Sequence, residues 1–393
     1  MSFEVPEHVR PVRAAVEAFM RERVEPAEPE LHAGDEAARD VLRGLQAEAK
    51  AEGLWALGHP AELGGGGLPF LDYVYVNEVQ GRSEFGQLAL GTFTLQDSLM
   101  LDKYASPEWR ERYLAPLVAA EISPSFAMTE PEVASSDPTQ LQTAAVLDGE
   151  EWVINGLKWF TTGANRAAYT TVMCRTEPDA PDHRAFSMIV VPTDTSGYQI
   201  VRETPVLGIK GGHCEVRYTD VRVPAGNLLG PRGHGFQIAQ DRLGPGRIFH
   251  CMRWLGQAQR AFELLCERLN ARVAFGEPLS HKQLMQQHVF ESYAEIQACR
   301  LLTLQAAERI DAGDQARVEI GTIKVVGARM LHNVIDRAIQ AHGAMGLTDD
   351  TPLSFMYRSA RFARIYDGPD EVHVHTVARR ILKQSRDGNP ISF

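Results

Sequence analysis

Residues 151–162 read Glu-Trp-Val-Ile-Asn-Gly-Leu-Lys-Trp-Phe-Thr-Thr, and this stretch is the clearest indication of the fold in the middle of the chain. It contains two short runs of β-branched and aromatic residues around the turn signal Asn155-Gly156. Similar runs follow at 169–173, 186–191, 198–201 and 215–223, with further turn signals at Asp148-Gly149, Ser196-Gly197 and Gly211-Gly212. Because no helical segment separates these runs, they predict an antiparallel sandwich or barrel instead of βαβ units.

Helical patterns lie on both sides of this β-rich zone. Val9, Val12, Val16 and Phe19 form one apolar stripe before it. Long stripes of the same period follow it, the first running from Ile248 to Leu269 and two more opening at Met285 and Ile320. The sequence therefore predicts a multidomain α+β fold: an N-terminal helical domain over 1–120, a β domain over 121–235 and a C-terminal four-helix bundle over 236–393.

Composition narrows the class of protein. The chain has 393 residues, and 40 basic against 51 acidic side chains give a net charge of −11, which argues against a nucleic-acid-binding protein. A hydrophobic fraction of 44% is ordinary for a globular chain of two or three domains. The five cysteines form no C-x-x-C pair, so buried free thiols are expected and no metal site is predicted.

Targeting and membrane signals are missing from the sequence. The N-terminus carries Glu4 and Glu7 and has no apolar run of signal-peptide length. No stretch of about 18 apolar residues occurs, so no membrane span is predicted and we expect a cytoplasmic protein.

Common nucleotide motifs are absent as well. The sequence lacks G-x-G-x-x-G and G-x-x-x-x-G-K-[ST], which argues against a Rossmann domain and a P-loop. The run Gly64 to Gly67 must break the chain into a loop, and it could in principle cradle a phosphate. A plain loop is the favoured interpretation because no Lys-Ser/Thr pair follows it.

Four segments together carry a resemblance that none carries alone. They are Phe-Ala-Met-Thr-Glu-Pro-Glu-Val-Ala-Ser-Ser-Asp at 126–137, Trp-Val-Ile-Asn-Gly-Leu-Lys-Trp-Phe-Thr at 152–161, Arg-Val-Ala-Phe-Gly-Glu-Pro-Leu at 272–279, and Gln-Ala-His-Gly-Ala-Met-Gly at 340–346 with Tyr-Asp-Gly-Pro-Asp-Glu-Val-His at 366–373. In order and spacing they resemble the acyl-CoA dehydrogenase family over nearly the whole chain. The last run is most similar to a branch associated with long or branched acyl chains.

This resemblance implies a cofactor, a substrate and partners. The cofactor is FAD, the substrate is an acyl-CoA of fatty acid β-oxidation, and the electron acceptor is an electron-transfer flavoprotein. The family also implies a homo-oligomer, a dimer or a tetramer built as a dimer of dimers, with FAD at the subunit interface. Its fold of helical domain, β domain and four-helix bundle agrees with the pattern above.

The resemblance assigns candidate FAD residues in two groups. In the β domain, Phe126, Met128 and Thr129 match the strand along the isoalloxazine edge, and Trp159 and Thr161 match the pair beside the flavin. Ser135 and Ser136 match positions that meet the FAD pyrophosphate and the CoA arm. The second group matches residues that reach the FAD of a neighbouring subunit or contact flavin: Arg272, Phe275, Gln283, Gln340, Gly343, Pro369 and Glu371.

Asp367 is the candidate catalytic base. It occupies the position of the glutamate in the family's common Tyr-Glu-Gly-Thr pattern, and the residues here are Tyr-Asp-Gly-Pro. The alternative base position of some family members corresponds to Gly246, which has no side chain. Gly368 and Arg247 match substrate contacts, Arg247 near the pantetheine or phosphates of CoA. An Asp before Gly-Pro-Asp-Glu is also a possible helix N-cap, and this alternative for Asp367 stays open.

The main functional interpretation is an FAD-dependent acyl-CoA dehydrogenase, in which a carboxylate removes the α-proton and the β-hydride passes to flavin N5. An oxidase on the same fold is an alternative, because nitroalkane-oxidising relatives use an aspartate base. Acyl-CoA oxidases are usually longer at the C-terminus. A DNA-associated flavoprotein would carry a basic C-terminal domain, which this sequence lacks. A catalytically inactive flavin-binding scaffold is the remaining alternative.

Overall fold

The computed structural model describes residues 4–209 and 212–390, and the statements below concern this part of the chain. Helices occupy the first third and the last two fifths, with a sheet between them. The N-terminal helices are α1 Arg10–Phe19, α2 Glu25–Leu31, α3 Glu36–Ala51, α4 Phe70–Gln80, α5 Gly86–Ala89, α6 Leu95–Tyr104 and α7 Pro107–Val118. The C-terminal helices are α8 Gly235–Ala271, α9 Gln283–Asp311, α10 Arg317–His342, α11 Leu353–Ala360 and α12 Asp370–Arg386.

Local signals set several helix starts. The side chain of Asp35 accepts a hydrogen bond from Ala38 N at 2.9 Å and caps α3. Ser106 caps α7 by accepting from Trp109 N, with proline at the first helical position. α1 continues into α2 through a π-helical turn, Met20–Val24.

The strands are β1 Pro124–Ala127, β2 Ala144–Asp148, β3 Glu151–Thr162, β4 Tyr169–Arg175, β5 Phe186–Pro192, β6 Tyr198–Glu203, β7 His213–Pro224 and β8 Leu228–Leu229, followed by the hairpin strands β9 Val273–Ala274 and β10 Glu277–Pro278. The large sheet has the order β6-β7-β3-β2-β4-β5-β8, and β1 pairs with β4. Most pairings are antiparallel, as predicted. β1–β4 and β2–β4 are parallel, which the sequence did not indicate.

One predicted turn lies inside a strand. Asn155-Gly156 belongs to β3, which runs on as one strand against β7 with register shifts at Ile154/Gly156 and Lys158/Thr161. A Cβ at Gly156 would stand 2.4 Å from Thr143 Oγ1, so this glycine serves a close approach within the sheet. The Asp148-Gly149 turn does join β2 to β3. The predicted turn at Gly211 lies outside the described residues.

The chain forms two compact units, and each is described by itself. One comprises the described residues of Met1–Pro29, Pro69–Ala89 and Gly244–Phe393, and the other comprises Glu30–Leu68 and Leu90–Leu243. The second unit contains the sheet, whose strands β4 and β5 are buried on both faces. One face packs on α6, α7 and the start of α8, and the other closes on β3 and β7. The predicted fold class is confirmed.

The glycine run does not present its N–H groups to a ligand. The amides of Gly64, Gly65, Gly66 and Gly67 donate to carbonyl oxygens of residues 56–61 at 2.9 to 3.1 Å. A Cβ at Gly65 would lie 2.3 Å from the Cβ of His59, so the turn folds tightly back on the preceding segment. These contacts support the plain-loop interpretation, because the donors that a phosphate would need are already bound.

The five cysteines are free thiols, and four of them are buried, as expected. Among the described residues, no helix combines the length and the apolar character that crossing a bilayer requires.

Candidate active site

Asp367 lies in a tight loop between α11 and α12, with its backbone in the left-handed region at φ 54°. The next residue, Gly368, has φ 100°, and a Cβ there would stand 2.8 Å from His373 Nε2. Asp is one of the few side chains that adopt this region readily, and Gly adopts it without a steric penalty. The Asp-Gly pair is therefore well suited to the backbone of this loop.

Three side chains hold this loop by its carbonyl oxygens. Arg247 on α8 donates to the Asp367 carbonyl from Nε at 3.3 Å and from Nη2 at 3.1 Å. His373 Nε2 lies 3.1 Å from the same oxygen. The buried Lys324 on α10 donates to the carbonyls of Ala363 at 2.6 Å and Gly368 at 3.1 Å. The backbone that carries the carboxylate is thus fixed from two helices of the bundle and from α12.

The Asp367 carboxylate meets a histidine. His250 Nε2 lies 3.2 Å from Asp367 Oδ2, and the two side chains keep 27% and 21% of their surface exposed. On its other side the His250 ring contacts Tyr366, at 5.0 Å between ring centroids. Tyr366 in turn accepts a hydrogen bond from Trp254 Nε1 at 2.9 Å. The carboxylate is mostly shielded from solvent but remains accessible to a ligand.

Burial shifts the pKa values of the surrounding groups. Desolvation lowers the pKa of Lys324 to about 8, although the charge of Asp367 opposes this shift. Desolvation and the nearby Arg253 lower the pKa of His250. Desolvation also lowers the pKa of Arg247 and raises that of Tyr366. The histidine beside the carboxylate is accordingly neutral at pH 7.

The start of α12 tests the alternative hypothesis that Asp367 is a helix N-cap. The N-cap of α12 is Pro369, and Asp370 is the first helical residue. Asp367 stands two residues before that cap, so the hypothesis that it is the N-cap is wrong. Asp370 itself is buried and accepts from Arg329 Nε at 3.2 Å and Arg364 Nε at 2.9 Å.

Within the sheet unit, the structure brings the first group of predicted FAD residues together. Thr129 Oγ1 donates to Trp159 O at 2.8 Å, and Trp159 N donates to Thr129 O at 3.1 Å. Phe126 lies on β1 beneath the guanidinium of Arg242, 4.6 Å from the ring centroid. Met128 lies between Phe126 and Thr129 in the chain, and its carbonyl oxygen accepts a hydrogen bond from Lys158 Nζ at 2.8 Å. These residues lie together along the edge where the chain after β1 is hydrogen-bonded to β3.

Thr161 offers an observation by which the fit of FAD can be judged. Its side chain is fully buried, yet its hydroxyl has no hydrogen-bond partner in the part of the chain that the structure describes. Buried hydroxyls are normally paired. An unpaired hydroxyl two residues from the half-buried Trp159 fits a polar, planar ligand at this edge, which is the place the resemblance assigns to the flavin.

The two predicted serines differ in use. Ser135 Oγ accepts from Glu130 N at 2.9 Å and thereby closes the turn after Thr129. Ser136 is exposed. Ser135 therefore shapes the loop, whereas Ser136 is free of such a role and accessible to a ligand.

The second group lies on the surface of the bundle unit. Arg272 follows α8, Phe275 stands at the tip of the β9–β10 hairpin with φ 55°, and Gln283 opens α9. All three are exposed, and Phe275 is 98% exposed. The Phe275 ring therefore makes almost no contact with its own chain.

Gln340 and Gly343 lie at the end of α10 and are exposed. That end is tied to the last turn of α8, since Arg268 Nη2 donates to His342 O at 3.4 Å. Of the two α12 residues, Pro369 is the N-cap and Glu371 is exposed in the first turn.

Sequence reasoning missed the residues around Asp367: His250, Arg253, Trp254, Lys324 and His373. One signal was available. Arg247, His250 and Trp254 recur at spacings of three and four and therefore share a face of α8. A stripe of basic and aromatic residues on one face of a helix indicates a possible site. Lys324 and His373 gave no comparable pattern.

Models of three domains match nearly the whole chain. The acyl-CoA dehydrogenase N-terminal, middle and C-terminal domains match residues 6–121, 125–221 and 233–382. The chain is 45% identical over 390 residues to a Mycobacterium tuberculosis protein named probable acyl-CoA dehydrogenase FadE2, with 95% of each chain covered. It is 41% identical over 402 residues to mouse acyl-CoA dehydrogenase family member 10, covering 97% of this chain and 38% of that protein.

A solved structure of a Mycobacterium abscessus protein assigned as an acyl-CoA dehydrogenase superposes with a TM-score of 0.91 at 38% identity, covering 97% of this chain and 100% of the other. Such matches define a three-domain flavoenzyme class. The chain belongs to the acyl-CoA dehydrogenase family. The predictions of the family, of the enzyme class and of FAD as its cofactor are confirmed at that level. This chain spans nearly the full length of the Mycobacterium tuberculosis relative and well under half the length of the mouse relative.

Proposed function

We propose that this chain catalyses the α,β-dehydrogenation of an acyl-CoA thioester with Asp367 as the base. The carboxylate removes the proton from the carbon next to the thioester carbonyl. FAD, when bound, accepts the hydride that leaves the β carbon. The observation that carries the proposal is the immobilised, partly exposed carboxylate on a loop held at three carbonyl oxygens.

The other carboxylates near this loop are poorer candidates. Asp370 is 2% exposed and engaged by two arginines, so it cannot reach a ligand. Glu371 lies on the exposed first turn of α12. Gly246 stands where other family members place their base, and it has no side chain. Asp367 is therefore the base that we propose.

For Arg247, predicted to contact CoA, we propose an additional role in holding the Asp367 loop. Two of its nitrogens donate to the Asp367 carbonyl, so we propose that it positions the loop. Its contact with the pantetheine or phosphates of CoA stays a prediction, as do those of Ser136 and Gly368. Holding the base within a fraction of an ångström is worth large factors in rate.

For the cofactor, we propose that Trp159, Thr161 and the Phe126–Thr129 segment hold the flavin edge. The buried Thr161 hydroxyl would find its partner there. The exposed Arg272, Phe275 and Gln283, with Gln340 and Gly343, would reach the FAD of a second copy of the chain. A homo-oligomer is favoured because α9, which follows the hairpin of Phe275, also exposes the large apolar side chains Leu284, Phe290 and Tyr293, by 71%, 71% and 56%.

Several finer predictions remain part of the proposal. They are transfer of electrons to an electron-transfer flavoprotein, a place in fatty acid β-oxidation, a dimer or tetramer, a cytoplasmic location, and the branch for long or branched acyl chains.

A flavin oxidase is the second candidate function. The short aspartate in place of the family's usual glutamate favours it, because nitroalkane-oxidising relatives share that base. The two candidates differ in where the electrons go and in whether an acyl-CoA or a nitroalkane is consumed.

The test compares wild-type protein with Asp367→Asn, which keeps the size and the tolerance of left-handed backbone. Both proteins should show flavin absorption. Anaerobic addition of a panel of acyl-CoAs should bleach the wild type and bleach the variant at least about 100-fold more slowly. An Asn variant with wild-type rates would remove Asp367 from the mechanism. Bleaching by nitroalkanes alone, with hydrogen peroxide formed in air, would select the oxidase.

A further inference from the structure

We propose that His250, itself oriented by Arg253, is a positioning residue that donates one hydrogen bond to Asp367 and aims its carboxylate at the substrate. The inference rests on the proposed function, since it assigns a role relative to Asp367 as the base. It is carried by a hydrogen-bonded series along α8. Arg253 Nη2 lies 2.9 Å from His250 Nδ1, and His250 Nε2 lies 3.2 Å from Asp367 Oδ2.

The chemistry of the partners determines where the imidazole proton is. A guanidinium has only N–H donors, so His250 Nδ1 must accept from Arg253. A neutral imidazole carries one proton, which is then on Nε2 and faces the carboxylate. Arg253 therefore selects the tautomer in which His250 is a donor toward Asp367. The opposite tautomer would direct a lone pair at the carboxylate and repel it.

The groups around the ring keep it neutral. Arg253, Arg247 and Lys324 surround the site with positive charge, and Asp367 is the carboxylate that faces it. Desolvation and the charge of Arg253 outweigh the carboxylate in lowering the pKa of His250. A neutral donor fixes one carboxylate oxygen without neutralising the anion, as a protonated imidazole would do.

Packing fixes the ring and the arginine. The His250 ring lies 6.0 Å from Trp254 and 5.0 Å from Tyr366 between centroids, which restricts its plane. Behind it, α8 lies against the segment after α4 almost backbone to backbone. A Cβ at Gly81 would stand 2.2 Å from Arg253 Cα. The position of the Arg253 backbone relative to the His250 ring is therefore fixed by a main-chain contact between α8 and Gly81.

The decisive comparison is between two His250 variants of similar size. In His250→Gln the side-chain amide can still donate to Asp367, whereas in His250→Leu it cannot. We expect kcat for acyl-CoA oxidation to fall at least about tenfold in the Leu variant, with KM changed less than about threefold, and to be largely restored in the Gln variant. The acid limb of the kcat profile should move to higher pH in the Leu variant, because the ionised carboxylate loses a donor.

Arg253→Met should lower kcat by a smaller factor, about three to tenfold, because the tautomer is no longer selected. The exposed His375→Gln on α12 is the matched control and should leave kcat and the pH profile unchanged. Flavin absorption and the midpoint of thermal unfolding report whether each variant is folded.

Equal kcat values and equal acid limbs for the Gln and Leu variants would overturn the role of His250. The result is separable from failure of the proposed function. If Asp367→Asn is inactive while His250→Leu behaves as wild type, only the positioning role is lost. If Asp367→Asn retains full activity, the assignment of the base is wrong.

Discussion

The ammonium of Lys324 donates to the carbonyl oxygen of Gly368 across 3.1 Å, from the interior of α10 to the loop that carries Asp367. It also donates to Ala363 at 2.6 Å, so one buried cation joins both ends of the loop. Lysine is rarely buried without such partners. The loop geometry therefore depends on a residue outside the Tyr-Asp-Gly-Pro run at 366–369.

Replacing Lys324 by Met should loosen this loop. Two carbonyl oxygens lose their donor, which should lower the free energy of unfolding by about 1–3 kcal/mol and kcat by about tenfold. Urea unfolding and anaerobic flavin reduction measure the two effects. Lys324→Arg keeps the charge and the donors but not the shape, so its stability and its kcat should lie between those of the wild type and the Met variant. A Met variant with unaltered kcat would show that the base needs no support from α10.

The hydroxyl of Thr161 should matter more to FAD than to the fold. Thr161→Val removes an unpaired buried hydroxyl, so apoprotein stability should stay equal or rise by about 1 kcal/mol. FAD affinity should fall about tenfold, as measured by titration of apoprotein with FAD followed by fluorescence. Thr171→Val, which also removes an unpaired buried hydroxyl, is the control and should leave FAD affinity unchanged. Unaltered FAD binding in the Thr161 variant would contradict its placement at the flavin edge.

The buried pair of Lys158 and Glu130 should be essential to the sheet unit. Lys158 Nζ lies 2.8 Å from Glu130 Oε1, and both side chains are almost fully buried. Lys158→Met leaves a buried carboxylate without its cation and should cost about 3–5 kcal/mol in chemical unfolding. The exposed pair of Lys103 and Asp241 provides the contrast, because Lys103→Met should cost less than about 1 kcal/mol. If both variants lost a similar free energy of unfolding, the buried pair would contribute no more to stability than the exposed one.

Glu84 should make the protein less stable as the pH rises. Burial and the charge of Glu28 raise the pKa of Glu84 from 4.5 to about 8. Between these values the unfolded chain has released the proton that the folded chain still holds, so stability decreases with increasing pH. Because the side chain is partly exposed, the gain in Glu84→Gln is discounted to about 1–3 kcal/mol at pH 8, with almost none at pH 4.5.

Urea unfolding at the two pH values measures this difference. The exposed Glu22→Gln on the π-helical turn should change neither value and serves as the control. A Glu84 variant whose advantage is the same at both pH values would contradict the assigned protonation.

Sequence patterns predicted the arrangement of helices and sheet well, because apolar periodicity reports directly on burial. They were wrong at Asn155-Gly156, where a typical turn pair lies inside a strand. The reason is tertiary: Gly156 is needed for its close approach to Thr143, and no local signal distinguishes that need from a turn. The two parallel pairings of β4 were likewise beyond a local pattern, because pairing direction depends on how distant strands meet.

The candidate site was predictable only in part. The candidate base Asp367 and the candidate flavin residues followed from a family resemblance. Its supports did not, since Lys324 and His373 come from separate helices and meet only through the loop carbonyls. His250 was accessible in principle from its spacing to Arg247 and Trp254 on α8. Ser135 was predicted to contact a ligand, but its hydroxyl instead accepts a hydrogen bond from Glu130 N and closes the turn in which it lies.

The left-handed backbone at Asp367 limits which residues natural variation can place there. Glutamate, the usual base of the family, has little of aspartate's ability to compensate in this region by local hydrogen bonding, and the conformation costs an ordinary L-residue about 1–2 kcal/mol. A single exchange to glutamate would therefore burden folding as well as displace the carboxylate. An aspartate before glycine at this point therefore suits the shape of the loop as well as the chemistry that we propose for it.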